Sequence, residues 1–424
     1  MDIRYRVVGG VPLQGEVIIS GSKNAALPMI AATLVADGET VLTNVPRLSD
    51  VSIMLEILRH LGAKTSFEGT TVRVDTRGIA YRPIPLEFTR KLRASIVFLG
   101  PLLARFGVAE MAYPGGDSIG KRPVDAHVSA FVQMGATDMS TRDTIHLQGA
   151  LQSSHVILPE FSVTATENAL MAAARLPIET RIDLAAAEPH VQEVCRLVQA
   201  MGADVEGIGT HTLFVRGRSE LRGVEHRVPF DYLEAGSMVV AALVTKGRVR
   251  LHDIAYEDLL SFLHTLERAG AVWRYQPEER TLFVDGELSL LSAMNVRTNI
   301  HPGFHTDLQA FIGVAMTQAK GVSRLFERLY EGRLAYLYEL EKMGAHIEIL
   351  NAHQALIIGP TPLRGSVVTS NDVRAGAAMV LAGLCAEGET IITDVRHTER
   401  GYDRLHEKLR AMGAQIERLE LSGG

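Results

Sequence analysis

Cysteine, membrane-length apolar runs and clustered positive charge are all scarce in this chain, and each shortage removes a class of function. Only two cysteines, Cys195 and Cys385, occur in 424 residues. Both fall in helical patterns among Val, Leu and Ala, which reads as buried thiols in a reducing compartment and not as a disulfide framework or a metal site. Every apolar stretch is broken by Gly, Pro or charge before it reaches bilayer-spanning length, and Met1 to Val8 lacks the apolar segment of a secretory leader. A cytoplasmic protein without membrane insertion is expected. The formal charge of −6, with no long Lys/Arg run, argues against nucleic acid or a membrane surface as partner. Anionic small molecules held by a local cationic pocket remain. The nearest approach to metal-ligand spacing is His301 with His305, but Pro302 and Gly303 between them prevent a shared helical face, so no metal is expected.

What the chain has is a repeat. A short tag recurs as Leu61-Gly62-Ala63, Met134-Gly135-Ala136, Met201-Gly202-Ala203, Ala269-Gly270-Ala271, Met343-Gly344-Ala345 and Met412-Gly413-Ala414, at intervals of 67 to 74 residues. Each tag closes a helical pattern. Before the first, Val51, Met54, Leu55, Leu58 and Leu61 lie at helical spacing, and Gly62 can take the left-handed conformation that stops a helix. After each tag the pattern predicts a hairpin, as in Lys64 to Phe67 with Val72 to Asp75. Upstream of each comes a strand, a polar junction, an Ala-rich helix and a second strand. In the first copy these are Gly15 to Ser20, Gly21 to Asn24, Ala25 to Val35 and Thr40 to Asn44. Six such βαβαββ units account for the chain. They exceed what one core holds, so two groups of three are expected, with a boundary near Val228-Pro229-Phe230.

Equivalent junctions carry the chemistry. Before the first helix of the successive copies stand Lys23 with Asn24, Arg93, Ser162 with Thr164, Asp231, Asp307 and Arg374. Before the second helix stand Asp50, Asp117 with Arg122, Glu188, Asp258, Arg333 and Arg400. Asn24, Asp50, Asp231 and Asp307 also suit plain helix caps. Arg93, Arg122, Arg374 and Arg400 do not, because the helix dipole disfavours a cation near an N-terminus unless an anion is present. The segment Pro114 to Pro123 nearly matches a phosphate-binding loop at Gly115 and Gly120-Lys121, yet Arg122 replaces the required Ser or Thr and Pro123 follows. Its glycines instead build a loop that carries Asp117 forward, unless Asp117 only closes a turn on its own backbone.

At these residues the chain resembles the enolpyruvyl transferases, over essentially its whole length. The signatures are Gly21-Ser22-Lys23-Asn24-Ala25-Ala26-Leu27-Pro28, Arg93-Ala94-Ser95, the Gly115 to Asp125 loop, Thr306-Asp307-Leu308-Gln309, Arg374-Ala375 and Arg400-Gly401-Tyr402. The resemblance implies two inside-out α/β domains of three units each, with substrates in the cleft between them. One would comprise residues 1–22 with 230–424, and the other residues 23–229. It implies transfer of the enolpyruvyl group of phosphoenolpyruvate to the 3′-hydroxyl of UDP-N-acetylglucosamine, the first committed step of peptidoglycan precursor synthesis, with no metal or organic cofactor. Lys23, Arg122 and Arg400 would hold the phosphate, Arg374 with Arg400 the carboxylate, and Asp307 would take the sugar hydroxyl's proton. Asn24, Arg93, Arg122, Pro123, Val124, Asp125, Ala126, Ser162, Val163, Thr164 and Leu329 match positions that cradle the nucleotide sugar, and Glu188 a nearby acidic one.

The chain departs from the family pattern at Asp117, where a cysteine is usual. That residue is associated with protonating the methylene carbon of the enolpyruvyl group, which an aspartate does only while protonated. Aspartate also occurs there in active members, so activity is expected, together with resistance to the cysteine-alkylating antibiotic fosfomycin. Ala126 stands in place of a larger apolar residue, Thr164 in place of Gly and Tyr232 in place of a basic residue, departures that bear on nucleotide affinity. Two rival readings are a sister transferase acting on shikimate 3-phosphate, against which Asn24 after Lys23 and the Asp117 loop speak, and a non-catalytic nucleotide-sugar sensor, against which Lys23, Asp307, Arg374 and Arg400 speak.

Overall fold

The computed structural model describes residues 2–115, 123–152 and 154–421. Asp117 and Arg122 lie outside the described residues.

The tag does what its chemistry predicts. All six tag glycines have positive φ, from 92° at Gly344 to 121° at Gly202. In each the following alanine N–H returns to the carbonyl five residues back, as Ala63 to Leu58 at 2.9 Å and Ala414 to Leu409 at 3.0 Å. This double turn satisfies the carbonyls that a helix end leaves open. It stops the helices Ser49–His60, Asp125–Gln133, Pro189–Met201, Leu260–Arg268, Tyr336–Lys342 and Leu405–Ala411 in the same way. These helices are amphipathic: Val51, Met54, Leu55 and Leu58 are buried while Ser52, Glu56 and Arg59 face water.

The Ala-rich helices differ, being mainly apolar and buried on nearly every side. Tyr232–Val244 is buried at every residue, and it packs with Gln309–Gln318 and Val373–Cys385. A helix apolar all round belongs inside, so helices form the centre and the sheets lie outside them. Lys23–Ala32, Leu99–Phe106 and Val163–Ala173 are the corresponding helices of the other half. The last two approach so closely that a Cβ on Gly100 would meet the Asn168 carbonyl oxygen at 2.2 Å, which only glycine avoids.

Among the described residues there are five four-stranded sheets and one of three strands. The third repeat shows the pattern: His155–Ile157 runs parallel to Glu179–Asp183, which pairs antiparallel with Thr212–Arg216, itself paired with Asp204–Glu206. Two expectations need correction. The sixth tag is not followed by a hairpin. Only Gln415–Leu421 follows it, and Asp2–Val8 lies antiparallel between that strand and Glu389–Thr393, supplying the missing partner. The first and fourth copies are also not self-contained. Gln14–Ile18 runs parallel to Arg248–His252, and Glu225–Arg227 runs parallel to Glu39–Thr43, so these copies exchange their first strands.

The chain divides into two compact units, changing from one to the other between Ser20 and Gly21 and between Pro229 and Phe230. The first contains residues 2–20 and 230–421, and its core gathers Tyr5, Leu13, Val239, Phe262, Phe311 and Tyr336. The second contains residues 21–115 and 123–229 and is centred on Met29, Leu58, Phe98, Phe131 and Leu170. Cys195 is buried and Cys385 half-buried. Burial pushes both thiols up to about 12.

Candidate active site

In the first unit the fifth and sixth repeats bring their junctions together. The turn Thr306–Leu308 leads into the helix Gln309–Gln318, and its cap is His305, whose Nδ1 accepts the Asp307 N–H at 3.0 Å. Burial lowers His305 to about 4, against the opposing pull of Asp307, so the imidazole is neutral and its Nδ1 lone pair is available. Tyr232, itself buried, sits edge-on to that ring at 5.5 Å.

Because His305 does the capping, the Asp307 carboxylate is left to the arginines. Oδ1 lies 2.6 Å from Nη2 of Arg333, and Oδ2 lies 3.3 Å from Nε of Arg374. Burial alone would raise the Asp307 pKa, but the Arg333 and Arg374 charges outweigh it and hold the carboxyl far below the usual carboxylate range. Arg374 is the second residue of Val373–Cys385, capped by Asp372, which accepts the Arg374 and Ala375 N–H groups at 2.7 and 2.9 Å. The Arg374 guanidinium lies over the Tyr402 ring at 5.4 Å. Its buried Nη1 has no close hydrogen-bond partner among the described residues, and the neighbouring Tyr402 hydroxyl is the polar group the guanidinium interacts with.

Arg333 is anchored from behind. Its Nη1 donates to Thr306 Oγ1 at 3.3 Å, and the Thr306 hydroxyl donates to Glu327 Oε2 at 2.7 Å. Glu327 is fully buried and also accepts from Thr298 Oγ1 and from the Leu329 and Tyr330 N–H groups. Arg333 appears in the sequence only as a junction equivalent, and Glu327 carries no sequence signal at all. Leu329 is 39% exposed and is positioned by that N–H bond.

Arg400 departs from expectation. It ends the short turn Arg396–Glu399 instead of opening a helix, and Arg404, with φ of 53°, separates it from Leu405–Ala411. A cation at the C-terminal end of a helical turn is favoured without an anion, so the dipole argument does not extend to Arg400.

In the second unit Ser22 caps Lys23–Ala32, accepting the Ala25 N–H at 3.4 Å. Lys23, the first helical residue, places Nζ 2.6 Å from Oδ2 of Asp50, whose side chain is 1% exposed. Asn24 follows, half-buried. Of the four residues that also suited capping, only Asp231 caps a helix, accepting the Leu233 and Glu234 N–H groups at 2.8 and 3.1 Å. Arg93 opens a 3-10 helix, and its Nη2 donates to the Pro123 carbonyl at 3.5 Å. That contact ties it to the segment in which Pro123 and Asp125 are exposed while Val124 and Ala126 are buried. Ser162 caps Val163–Ala173 through the Ala165 N–H at 3.4 Å, and Thr164 Oγ1 lies 3.1 Å from Nε2 of His127. Glu188 is buried at the start of Pro189–Met201. Within Val163–Ala173, buried Glu167 has its pKa raised well above the usual range, first by burial and then by Glu188. The sequence reading singled out neither His127 nor Glu167.

Residues 7–409 match the family model of EPSP synthase (3-phosphoshikimate 1-carboxyvinyltransferase). The chain belongs to this family. It is 42% identical to a UDP-N-acetylglucosamine 1-carboxyvinyltransferase of Chlorobium phaeovibrioides, across 97% of each chain. It is 41% identical to the protein of the same name from Magnetococcus marinus, across 97% of this chain and 98% of that one. Among solved structures, the enolpyruvyl transferase NikO from Streptomyces tendae superposes with a TM-score of 0.89 at 23% identity, covering 98% of this chain and 99% of that one. An EPSP synthase from Acinetobacter baumannii gives 0.76 at 20% identity, covering 99% and 100%. The enolpyruvyl transferase fold, with helices inside and sheets outside, is therefore that of this family member.

Proposed function

We propose that the protein transfers the enolpyruvyl group of phosphoenolpyruvate to the 3′-hydroxyl of UDP-N-acetylglucosamine with release of phosphate. The observation that carries the chemistry is the Asp307 carboxylate held between Arg333 and Arg374 at 2.6 and 3.3 Å. The relatives' shared name supports the nucleotide sugar as acceptor. Asp307 accepts the hydroxyl proton as the sugar oxygen bonds to C2 of phosphoenolpyruvate, and Asp117 delivers a proton to C3. The adduct then loses phosphate as the C2–O bond breaks, and C3 gives up a proton to restore the double bond. Lys23, Arg122 and Arg400 neutralise the phosphate, and Arg374 with Arg400 binds the carboxylate. The buried Arg374 guanidinium, whose Nη1 has no close hydrogen-bond partner among the described residues, supports that assignment. An anion taken there weakens the positive field on Asp307 and raises its basicity as the substrate arrives. Asn24, Arg93, residues 122–126, residues 162–164, Glu188 and Leu329 surround the nucleotide sugar.

The two compact units serve as the two domains of such an enzyme, with three repeats in each. No metal or organic cofactor takes part. No described helix is long and apolar enough to cross a membrane, which fits a cytoplasmic role in cell-wall synthesis and hence in cell shape and division. Asp117 in place of cysteine implies fosfomycin resistance. Phosphate release from phosphoenolpyruvate, assayed with UDP-N-acetylglucosamine and with shikimate 3-phosphate across pH, decides the acceptor. Turnover with only shikimate 3-phosphate would sink the proposal.

A further inference from the structure

Glu327 follows directly on the strand Gly321–Phe326, is fully buried, and collects hydrogen bonds whose direction can be read atom by atom. Its Oε1 accepts the Leu329 and Tyr330 N–H groups at 2.7 and 3.2 Å and the Thr298 hydroxyl at 3.0 Å, and its Oε2 accepts the Thr306 hydroxyl at 2.7 Å. The sense of both hydroxyl bonds is fixed from the other side. Thr298 Oγ1 accepts the Arg328 N–H at 2.8 Å, and Thr306 Oγ1 accepts Nη1 of Arg333 at 3.3 Å. A backbone N–H and a guanidinium only donate, so the single hydrogen of each hydroxyl is left for the carboxylate. One relay therefore runs from Arg333 through Thr306 to Glu327, while Nη2 of the same arginine lies 2.6 Å from Oδ1 of Asp307.

The backbone of Arg333 is held separately, since Gln309 Nε2 donates to its carbonyl at 3.2 Å. That bond leaves the guanidinium to be oriented by what touches it. Thr306 takes Nη1, and the Tyr330 ring lies 5.6 Å from the guanidinium carbon, with the Tyr330 N–H itself bound to Glu327. Both supports lead back to Glu327. The orientation matters because the charges of Asp307, Asp372 and Glu327 all act on this one buried cation, Asp307 most strongly. Resting on the function proposed above, we propose that Glu327 is a positioning residue of the transfer reaction, which through the Thr306 hydroxyl and Tyr330 holds Arg333 against Oδ1 of Asp307 and so presents that carboxylate to the sugar hydroxyl in one orientation. Glu327 does not touch the reacting atoms. A base displaced by about 1 Å loses up to about a hundredfold in rate, so an arrangement two bonds behind it is felt in kcat.

The test combines steady-state kinetics, calorimetric binding of UDP-N-acetylglucosamine and crystal structures of the wild-type chain, Glu327→Gln, Thr306→Val and Thr306→Ser. In Glu327→Gln the amide oxygen must face the Leu329 and Tyr330 N–H groups, which turns the NH2 toward Thr306 and removes the acceptor of its hydroxyl. Thr306→Val breaks the same link while leaving Glu327 its other three donors, so it tests the relay even where the glutamine variant does not fold. Both variants should lose about thirtyfold in kcat, with Kd for the nucleotide sugar and KM for phosphoenolpyruvate within about threefold. Thr306→Ser should recover to within about threefold of the wild type. In an Asp307→Asn background Thr306→Val should cost less than about twofold, because no carboxylate is left to position. In the crystal of Thr306→Val the contact between Arg333 Nη2 and Asp307 Oδ1 should lengthen beyond hydrogen-bonding distance. A kcat within about threefold of wild type in Thr306→Val, an equal loss in the Asp307→Asn background, or an Arg333–Asp307 contact unchanged in the crystal overturns the proposal. A wild-type chain that releases no phosphate defeats the transfer reading, and the crystal comparison then decides by itself whether Glu327 holds Arg333 on Asp307.

Discussion

Two carboxylates at or near the first helices of different repeats, Glu167 fully buried and Asp307 half-buried, end in opposite states. Asp307 stands at the entrance to Gln309–Gln318 and Glu167 within Val163–Ala173, each in or before the first helix of its copy. Burial pushes both toward the protonated form. Asp307 is given Arg333 and Arg374, and their charges reverse the effect. Glu167 is given the like charge of Glu188 and the push increases, while its Oε1 has no hydrogen-bond partner among the described residues. One repeat thus maintains a permanent carboxylate and another a neutral acid, and the difference lies entirely in what faces them.

The largest effect expected from breaking this comparison is at Asp307. Asp307→Asn removes the proposed base while keeping the shape, and kcat should fall about a thousandfold. Calorimetric Kd for the nucleotide sugar should stay within about threefold. A loss in kcat of less than tenfold would show that the carboxylate between the arginines serves only to hold them.

Asp117 is the next case, because its proposed role requires the state of Glu167 and not that of Asp307. An acid donates only while protonated, so activity should fall as pH rises through its pKa in the complex. A thiol has a reference value near 8.5 against about 3.9 for aspartate. Asp117→Cys should therefore remain active and carry the falling limb of the kcat profile upward by more than one pH unit. It should also be alkylated and inactivated by fosfomycin in a time-dependent manner, whereas the wild-type chain is spared. An unmodified, inactive cysteine variant, or a wild-type chain that gains a stoichiometric adduct at Asp117, would remove the loop from the mechanism.

The comparison also has a stability side. The folded pKa of Glu167 is raised, so between about 4.3, the unfolded value, and the folded one the native state holds a proton that the unfolded chain releases. Stability must fall as pH rises through that window. Glu167→Gln cannot ionise and escapes the loss, so it should stabilise the protein by about 1–3 kcal/mol at pH 7 and by almost nothing at pH 4. Urea unfolding at the two pH values reads this directly. The sign at Asp307 is opposite: its folded pKa is depressed, so its contribution is present at neutral pH and lost only in acid. Asp307→Asn should accordingly destabilise at pH 7.

How much of this was legible in the sequence depended on the range of the interactions. The tag glycines were readable because a left-handed helix stop is decided within five or six residues. The buried helices were readable from their apolar composition, and Lys23, Asp307 and Arg374 from motifs at fixed junctions. What could not be read depends on partners far along the chain. The Asp2–Val8 strand completes a sheet with residues some four hundred positions away, and the exchange of first strands between the first and fourth copies is equally nonlocal, so that periodicity gave no sign of it and only the family resemblance placed residues 1–22 with 230–424. At the turn Thr306–Leu308 the cap is His305, which accepts the Asp307 N–H, while the Asp307 carboxylate faces Arg333, a partner distant in sequence. Glu167 sits in an Ala-rich helical pattern that gives no hint of what packs around it.

The smallest predicted effect separates the two causes of the Glu167 shift. Burial is the larger and Glu188 the smaller, so removing the second charge should shorten the pH window without closing it. Glu188→Gln should reduce the stability lost between pH 4 and pH 8 by about 0.5–1 kcal/mol. In a Glu167→Gln background the same substitution should leave that part of the pH dependence unchanged, because there is no longer a titrating partner to feel it. The double-mutant cycle would then be non-additive by about the same amount. Additive behaviour would mean that the two carboxyl groups do not sense each other and that burial alone keeps Glu167 neutral. The contrast with Asp307 would then reduce to the presence or absence of its two arginines.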